Sequence, residues 1–194
     1  MGRRQQAVDA TRARIVAAAR RLLLTRRPGE FSLEAVARRA RVARMTVYHQ
    51  FGSRRALLEA LFDDLAARGG MWNLRNAFGL PDAEQALARF VATFGRFWDS
   101  ARLTHRRLQA LGVLDPELGR ALAARQEWRR QGLRVIAARL TPSGRPKDDS
   151  IDALFTLTSF QTFDSLAGDI RTPEQVTPAV LRLARAALGL ERDS

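Results

Sequence analysis

The chain of 194 residues contains no cysteine, which excludes disulfides, thiolate nucleophiles and Cys-ligated metals. Histidine is nearly as scarce: His49 and His105 are the only two, and their spacing fits no metal-binding motif. There is no G-x-S-x-G and no phosphate-cradling glycine loop. Acidic neighbours such as Asp63-Asp64 and Asp148-Asp149 diverge by about 100° on a helix instead of converging on a substrate. These absences predict no enzyme, no cofactor and no metal. No apolar run approaches the roughly 18 residues that a membrane helix needs, and the start MGRRQQAVDATRAR has no apolar signal core. A cytoplasmic protein without membrane contact is expected.

Lysine is almost missing too. Lys147 is the only one, so the formal net charge of +13 is carried by arginine. It is spread unevenly. Residues 1–60 hold 14 arginines against four acids (Asp9, Glu30, Glu34 and Glu59), a net charge of +10, which leaves +3 for the rest. Coding bias would enrich arginine evenly along the chain. A basic end points to a polyanion partner.

What is present is helical periodicity throughout, with 46% apolar residues and no strand-like alternation. The pattern predicts a first helix from about Asp9 to Leu24, stopped by the turn pair Pro28-Gly29. Ser32 caps a short helix from Leu33 to about Ala40, with Phe31 and Val36 placed as a hydrophobic staple. A third helix opens at Arg44 and ends before Gly52, and Ser53 caps a fourth that stops at Gly69-Gly70. Asp82 caps a helix with the stripe Phe90, Phe94, Phe97 and Trp98. A short helix follows around Leu103–Leu111, and Asp115-Pro116-Glu117 starts a long one reaching about Leu140. Thr141 to Ser150 is a loop, and two last helices are expected at about 151–168 and 173–188.

Two short helices joined by about four residues, Leu33–Ala40 and Arg44–Phe51, fit a helix-turn-helix, whose second helix enters the major groove. Val47 and Phe51 would pack inward, leaving Arg44, Met45, Thr46, Tyr48, His49 and Gln50 for DNA. Tyr48 also reads as a core aromatic, and Met45 equally as internal packing or as a thymine-methyl contact. Arg44, Arg54 and Arg55 all sit in first turns, where a cation opposes the helix dipole unless phosphates lie there. Arg3 and Arg4 read as a basic arm or as a disordered start.

The run FSLEAVARRARVARMTVYHQFGSRRALLEAL resembles the DNA-binding end of the TetR family of bacterial transcriptional regulators over about Thr11 to Leu61. The resemblance implies DNA contact at Thr46, Tyr48 and His49, with Arg54 on the family's phosphate-binding lysine. With Ser32, Arg44, Met45 and Arg55 these make the candidate DNA-binding set. Three positions depart from the family pattern. Arg41 stands at a turn glycine, Ala43 at a capping serine and Arg55 at a common glutamate.

The expected fold is therefore all-α: a three-helix reader at residues 1–52, and a larger helical domain at 53–194 whose first helix links the two. The resemblance implies that the larger domain binds a small-molecule effector and forms a homodimer through the last two helices. Candidate effector contacts are Trp72, Phe94, Trp98, Gln109, Trp128, Phe163 and Asp164, while His105 reads as exposed. The functional reading is a repressor that binds a palindromic operator on double-stranded DNA as a homodimer and is released by its effector. The alternative is a DNA-binding regulator or architectural protein without one.

Overall fold

The computed structural model describes residues 2–24 and 31–190, and among them every regular element is helical. The first four helices are α1 (Arg3–Leu23), α2 (Leu33–Ala40), α3 (Arg44–Phe51) and α4 (Arg54–Arg68). After a 3-10 turn at Met71–Asn73 come α5 (Leu74–Phe78), α6 (Ala83–Ser100), α7 (Arg102–Leu114) and α8 (Pro116–Leu140). The last three are α9 (Asp148–Leu157), α10 (Phe160–Ala167) and α11 (Thr177–Ala187). The expected turn at Pro28-Gly29 lies outside the described residues.

Caps account for the sharp boundaries. The Ser32 Oγ accepts from the Ala35 N–H at 3.1 Å, opening α2, and the Ser53 Oγ accepts from Ala56 in the same way at the start of α4. Asp82 accepts from the Glu84 and Gln85 N–H groups to open α6. Asp115 does so for Glu117 and Leu118, with Pro116 at the first position of α8. Gly52 closes α3 at φ 73°, where a side chain would be strained. Ala43, standing at a capping position, has extended N-cap geometry but no side-chain acceptor.

Helix α1 starts six residues earlier than expected. Arg3 and Arg4 lie in its first turn, not in a basic arm, because no helix breaker separates them from Asp9 and Gln5 donates to Asp9 one turn on at 2.9 Å. Short polar-flanked segments also escape periodicity, as with the 3-10 turn and α5.

The largest departure lies near the C-terminus. The expected helix at 151–168 is broken into α9 and α10. Ser159 caps α10 by accepting from the Thr162 N–H at 3.2 Å, and the hydroxyl of Thr158 turns back to the Leu154 carbonyl at 2.8 Å. The carbonyls released by the break are met from other helices. Trp98 Nε1 donates to the Thr158 carbonyl at 3.1 Å, and Arg129 donates to the Phe155 carbonyl. Similarly α11 begins at Thr177 and not near Pro173, since Thr172 and Gln175 exchange hydrogen bonds in a turn of their own.

Packing groups the chain into two compact units, Met1–Leu65 with Leu103–Ala123, and Ala66–Arg102 with Ala124–Ser194. This grouping differs from a split at residues 1–52 and 53–194, because Leu57, Leu58, Leu61 and Leu65 are buried in the core of the first unit, as are Leu108 and Leu118. Ile15, Ala19, Val36 and Val47 complete that core. The second unit is built on α6, α9, α10 and α11 around Phe90, Phe94, Trp98, Phe160 and Phe163. Gly95 lets α6 approach α11 closely, since a Cβ there would sit 2.2 Å from the Thr177 hydroxyl.

The turn between α2 and α3 holds Arg41 at φ 54° and ψ 50°, the sole positive-φ residue other than glycine among the described residues. Arg41→Gly removes a left-handed penalty of roughly 1–2 kcal/mol against a glycine entropy cost of roughly 0.5–1 kcal/mol. It should leave stability unchanged or raised, whereas the β-branched Arg41→Val should lower it. Ala43→Ser should add about 0.5–1 kcal/mol by supplying the missing cap. Urea unfolding of the three variants measures this directly. A stabilising Arg41→Val, or no gain from Ala43→Ser, contradicts the turn and cap assignments.

Candidate nucleic-acid interface

The 3.6-residue period splits α3 cleanly. Val47 and Phe51 are buried, while Arg44, Met45, Tyr48 and His49 share the opposite, exposed face and Thr46 and Gln50 lie at its margins. Met45 is 56% exposed and Tyr48 53%, so neither is a core residue. The N-terminal turn of α3 carries no acid, and Arg44 makes no ion pair among the described residues. Free N–H groups and an exposed guanidinium therefore meet at this helix start, an arrangement suited to phosphate.

Arg12 seats the helix from behind. Its Nη1 donates to the Gln50 carbonyl at 2.7 Å and its guanidinium lies 4.3 Å from the centre of the Phe51 ring. Nothing in the sequence pattern singles Arg12 out from its exposed neighbours. Ser32 serves as the α2 cap, with its hydroxyl turned to the Ala35 N–H.

Arg54 and Arg55 differ sharply in environment. Arg55 is exposed and pairs with Glu59 one turn along at 3.0 Å. Arg54 is half-buried and collects three partners: the Phe31 carbonyl at 3.4 Å, Asp115 and, at 2.9 Å, Glu117, with its guanidinium 5.6 Å from the Phe31 ring centre. Burial works against its charge, but the hydrogen bonds to Asp115 and Glu117 outweigh that and raise its pKa. In turn the Arg54 hydrogen bond holds the Asp115 carboxyl below the usual aspartate value, against the opposing effect of burial. The repulsion expected of a cation at this helix start is thus relieved within the first unit.

The seven candidate effector contacts are divided between the two units, and between buried and exposed positions. Phe94, Trp98 and Phe163 are buried together in the core of the second unit, Phe94 and Trp98 with ring centres 5.8 Å apart. Asp164 is engaged by Arg102 at 2.5 Å. Gln109 belongs to the first unit. Trp128 is 79% exposed on α8 and Trp72 is 67% exposed. Trp72 borders an open cleft with Arg96, Asp99 and Glu174. His105 is buried, not exposed, because it falls with Thr104 and Leu108 on the inner face of α7.

Asp115 contributes stability above the unfolded aspartate pKa of about 3.9, and that contribution is lost as pH falls through its lowered folded value. Asp115→Asn should therefore be less stable than wild type at pH 7, and the difference should shrink once the pH drops below about 4. Thermal unfolding of both proteins from pH 7 to pH 2.5 measures it. A penalty that does not change with pH contradicts the ion pair.

The family of bacterial regulatory proteins called tetR matches residues 15–61, which span α1 from Ile15, the α2–α3 pair and the first half of α4. No curated protein matches the chain. Among solved structures, the TetR family transcriptional regulator PfmR from Thermus thermophilus superposes with a TM-score of 0.63 at 21% identity, over 92% of this chain and 99% of its own. A protein described as a TetR-family transcriptional regulator from Mesorhizobium loti gives 0.63 at 16% identity, over 97% of this chain and 96% of its own. At such identities the likeness speaks for the fold. Joined to the sequence match across its helix-turn-helix, it shows that residues 15–61 carry the DNA-binding helix-turn-helix of the tetR family of bacterial regulatory proteins, within a fold like that of solved TetR-family regulators.

Proposed function

We propose that the chain is a repressor that binds a palindromic duplex as a homodimer and leaves it on binding a small-molecule effector. The observation that supports this best is the two-faced α3, whose inner face is fixed by Val47, Phe51 and Arg12 while its outer face carries exposed polar groups. In this reading Thr46, Tyr48, His49 and Met45 contact bases, and Arg44 and Arg55 contact phosphates. Arg54 contacts phosphate where a phosphate oxygen displaces Asp115 or Glu117. Residues 1–52 read the DNA together with the start of α4, and the rest of residues 53–194 sense and dimerise. Such a regulator works where the DNA is, in the bacterial cytoplasm, and among the described residues no helix is long and apolar enough to cross a membrane.

Dimerisation is assigned to α9, α10 and α11. Leu183 lies on the outer side of α11 at 47% exposure, and an isologous contact would cover it. The buried aromatic group Phe94, Trp98 and Phe163 supplies the surroundings for an effector, while Trp72, Gln109, Trp128 and Asp164 contribute only where a bound state rearranges them.

Fluorescence anisotropy against a duplex selected from random sequence tests the reading. Affinity should fall steeply with salt, by nearly one unit of log–log slope for each phosphate neutralised. Two chains should bind each palindrome. Tyr48→Ala should lose the selected sequence by roughly 1–3 kcal/mol while keeping most non-specific binding. A flat salt dependence, or equal affinity for scrambled DNA, overturns it.

A further inference from the structure

Helix α8 buries a charge that its surroundings do not balance. Arg129 falls in register with Leu133, Ile136, Ala137 and Leu140 on the inner face of the helix and is only 4% exposed. Its Nε donates to Gln126 at 3.0 Å, and its Nη1 donates to the Phe155 carbonyl and, at 2.6 Å, to the Thr158 hydroxyl. All three acceptors are neutral. The guanidinium lies over the Phe155 ring at 4.0 Å and 5.9 Å from the centre of Phe94. Among the described residues no carboxylate pairs with it, and its Nη2 makes no hydrogen bond.

The neighbourhood is more positive still. Arg130 stacks at 4.1 Å over the same Phe155 ring, and the nearby acid Asp152 is taken by Arg130. Burial first, and the charge of Arg130 second, push the Arg129 pKa down to about 9. The carbonyl end of α9, where Phe155 sits, offsets part of this charge. A fixed partial charge does not neutralise a whole cation, and unpaired buried charge is strongly disfavoured. A purely structural donor to the Phe155 carbonyl would not need to be charged.

We propose that Arg129 anchors a binding site for a monoanionic organic acid, its carboxylate on the open Nη2 edge and its apolar body against the rings of Phe94 and Phe155. One guanidinium edge flanked by aromatic rings suits a single negative charge on an apolar frame. A phosphate dianion would need donors that the site does not offer. This rests on the reading of the chain as a ligand-responsive regulator and names the chemistry of its effector.

The test uses the full chain with octanoate and 2-naphthoate as probes, each compared with its uncharged primary amide. Binding is followed by thermal shift and by tryptophan fluorescence in a Trp72→Phe/Trp128→Phe background, which leaves Trp98, whose Nε1 donates to the carbonyl of Thr158. At least one acid should bind wild type at least about tenfold more tightly than its amide, as expected of a charge-assisted pair. That advantage should vanish in Arg129→Gln. It should also fall in Arg129→Lys, which keeps the charge but loses the planar fork and guards against a Gln variant that does not fold. Neither acid binding, acids and amides binding alike, or an advantage that survives in the folded variants would overturn the proposal. DNA release by an amide alone would overturn it and leave the ligand-responsive reading standing. Arg129-dependent acid binding that leaves the DNA complex intact would do the reverse.

Discussion

The first unit depends on one guanidinium. Arg54 stands at the start of α4, yet its donors reach the chain just before α2, through the Phe31 carbonyl, and the start of α8, through Asp115 and Glu117. Three segments distant in sequence are held at one point. The same contact resolves an electrostatic conflict, because a cation at a helix N-terminus is unfavourable until acids face it. Asp115 is doubly committed, accepting from Arg54 while capping α8. With Arg12 behind α3 and Arg20 paired to Asp64, part of the basic excess is structural, while arginines such as Arg38, Arg39 and Arg44 are exposed. A raw charge count does not separate those two roles.

In the second unit the organising event is the interruption between α9 and α10. Unpaired backbone carbonyls inside a core are costly, so the break is tolerated only because Trp98 and Arg129 supply donors. Two side chains in apolar-facing register thus complete the backbone at the end of α9. The cost is a buried positive charge, and that charge gives the unit its chemical character.

How much of this was legible in the sequence follows from where the information is local. The bounds of α2 and α3 are written in Ser32, Gly52 and the spacing of Val47 and Phe51, so the sequence pattern places them correctly. The left-handed turn at Arg41 was legible through the resemblance alone, since arginine carries no turn signal of its own. Contacts between distant segments were not legible. Nothing marks Arg54 for Asp115, nor Thr158-Ser159 as a break inside a strongly apolar run. Arg129 did leave a trace, an arginine on the inner stripe of α8 one turn before Leu133. Aromatic content misled in the other direction, because the exposed Trp72 and Trp128 look in sequence like the buried Trp98.

We propose that α3 and the start of α4 form the DNA-reading surface. Hydrogen–deuterium exchange of the full chain, with and without a selected duplex, tests it most directly. Exchange should slow most strongly across residues 44–55 when the duplex binds. Protection confined to residues outside 44–55 would contradict it.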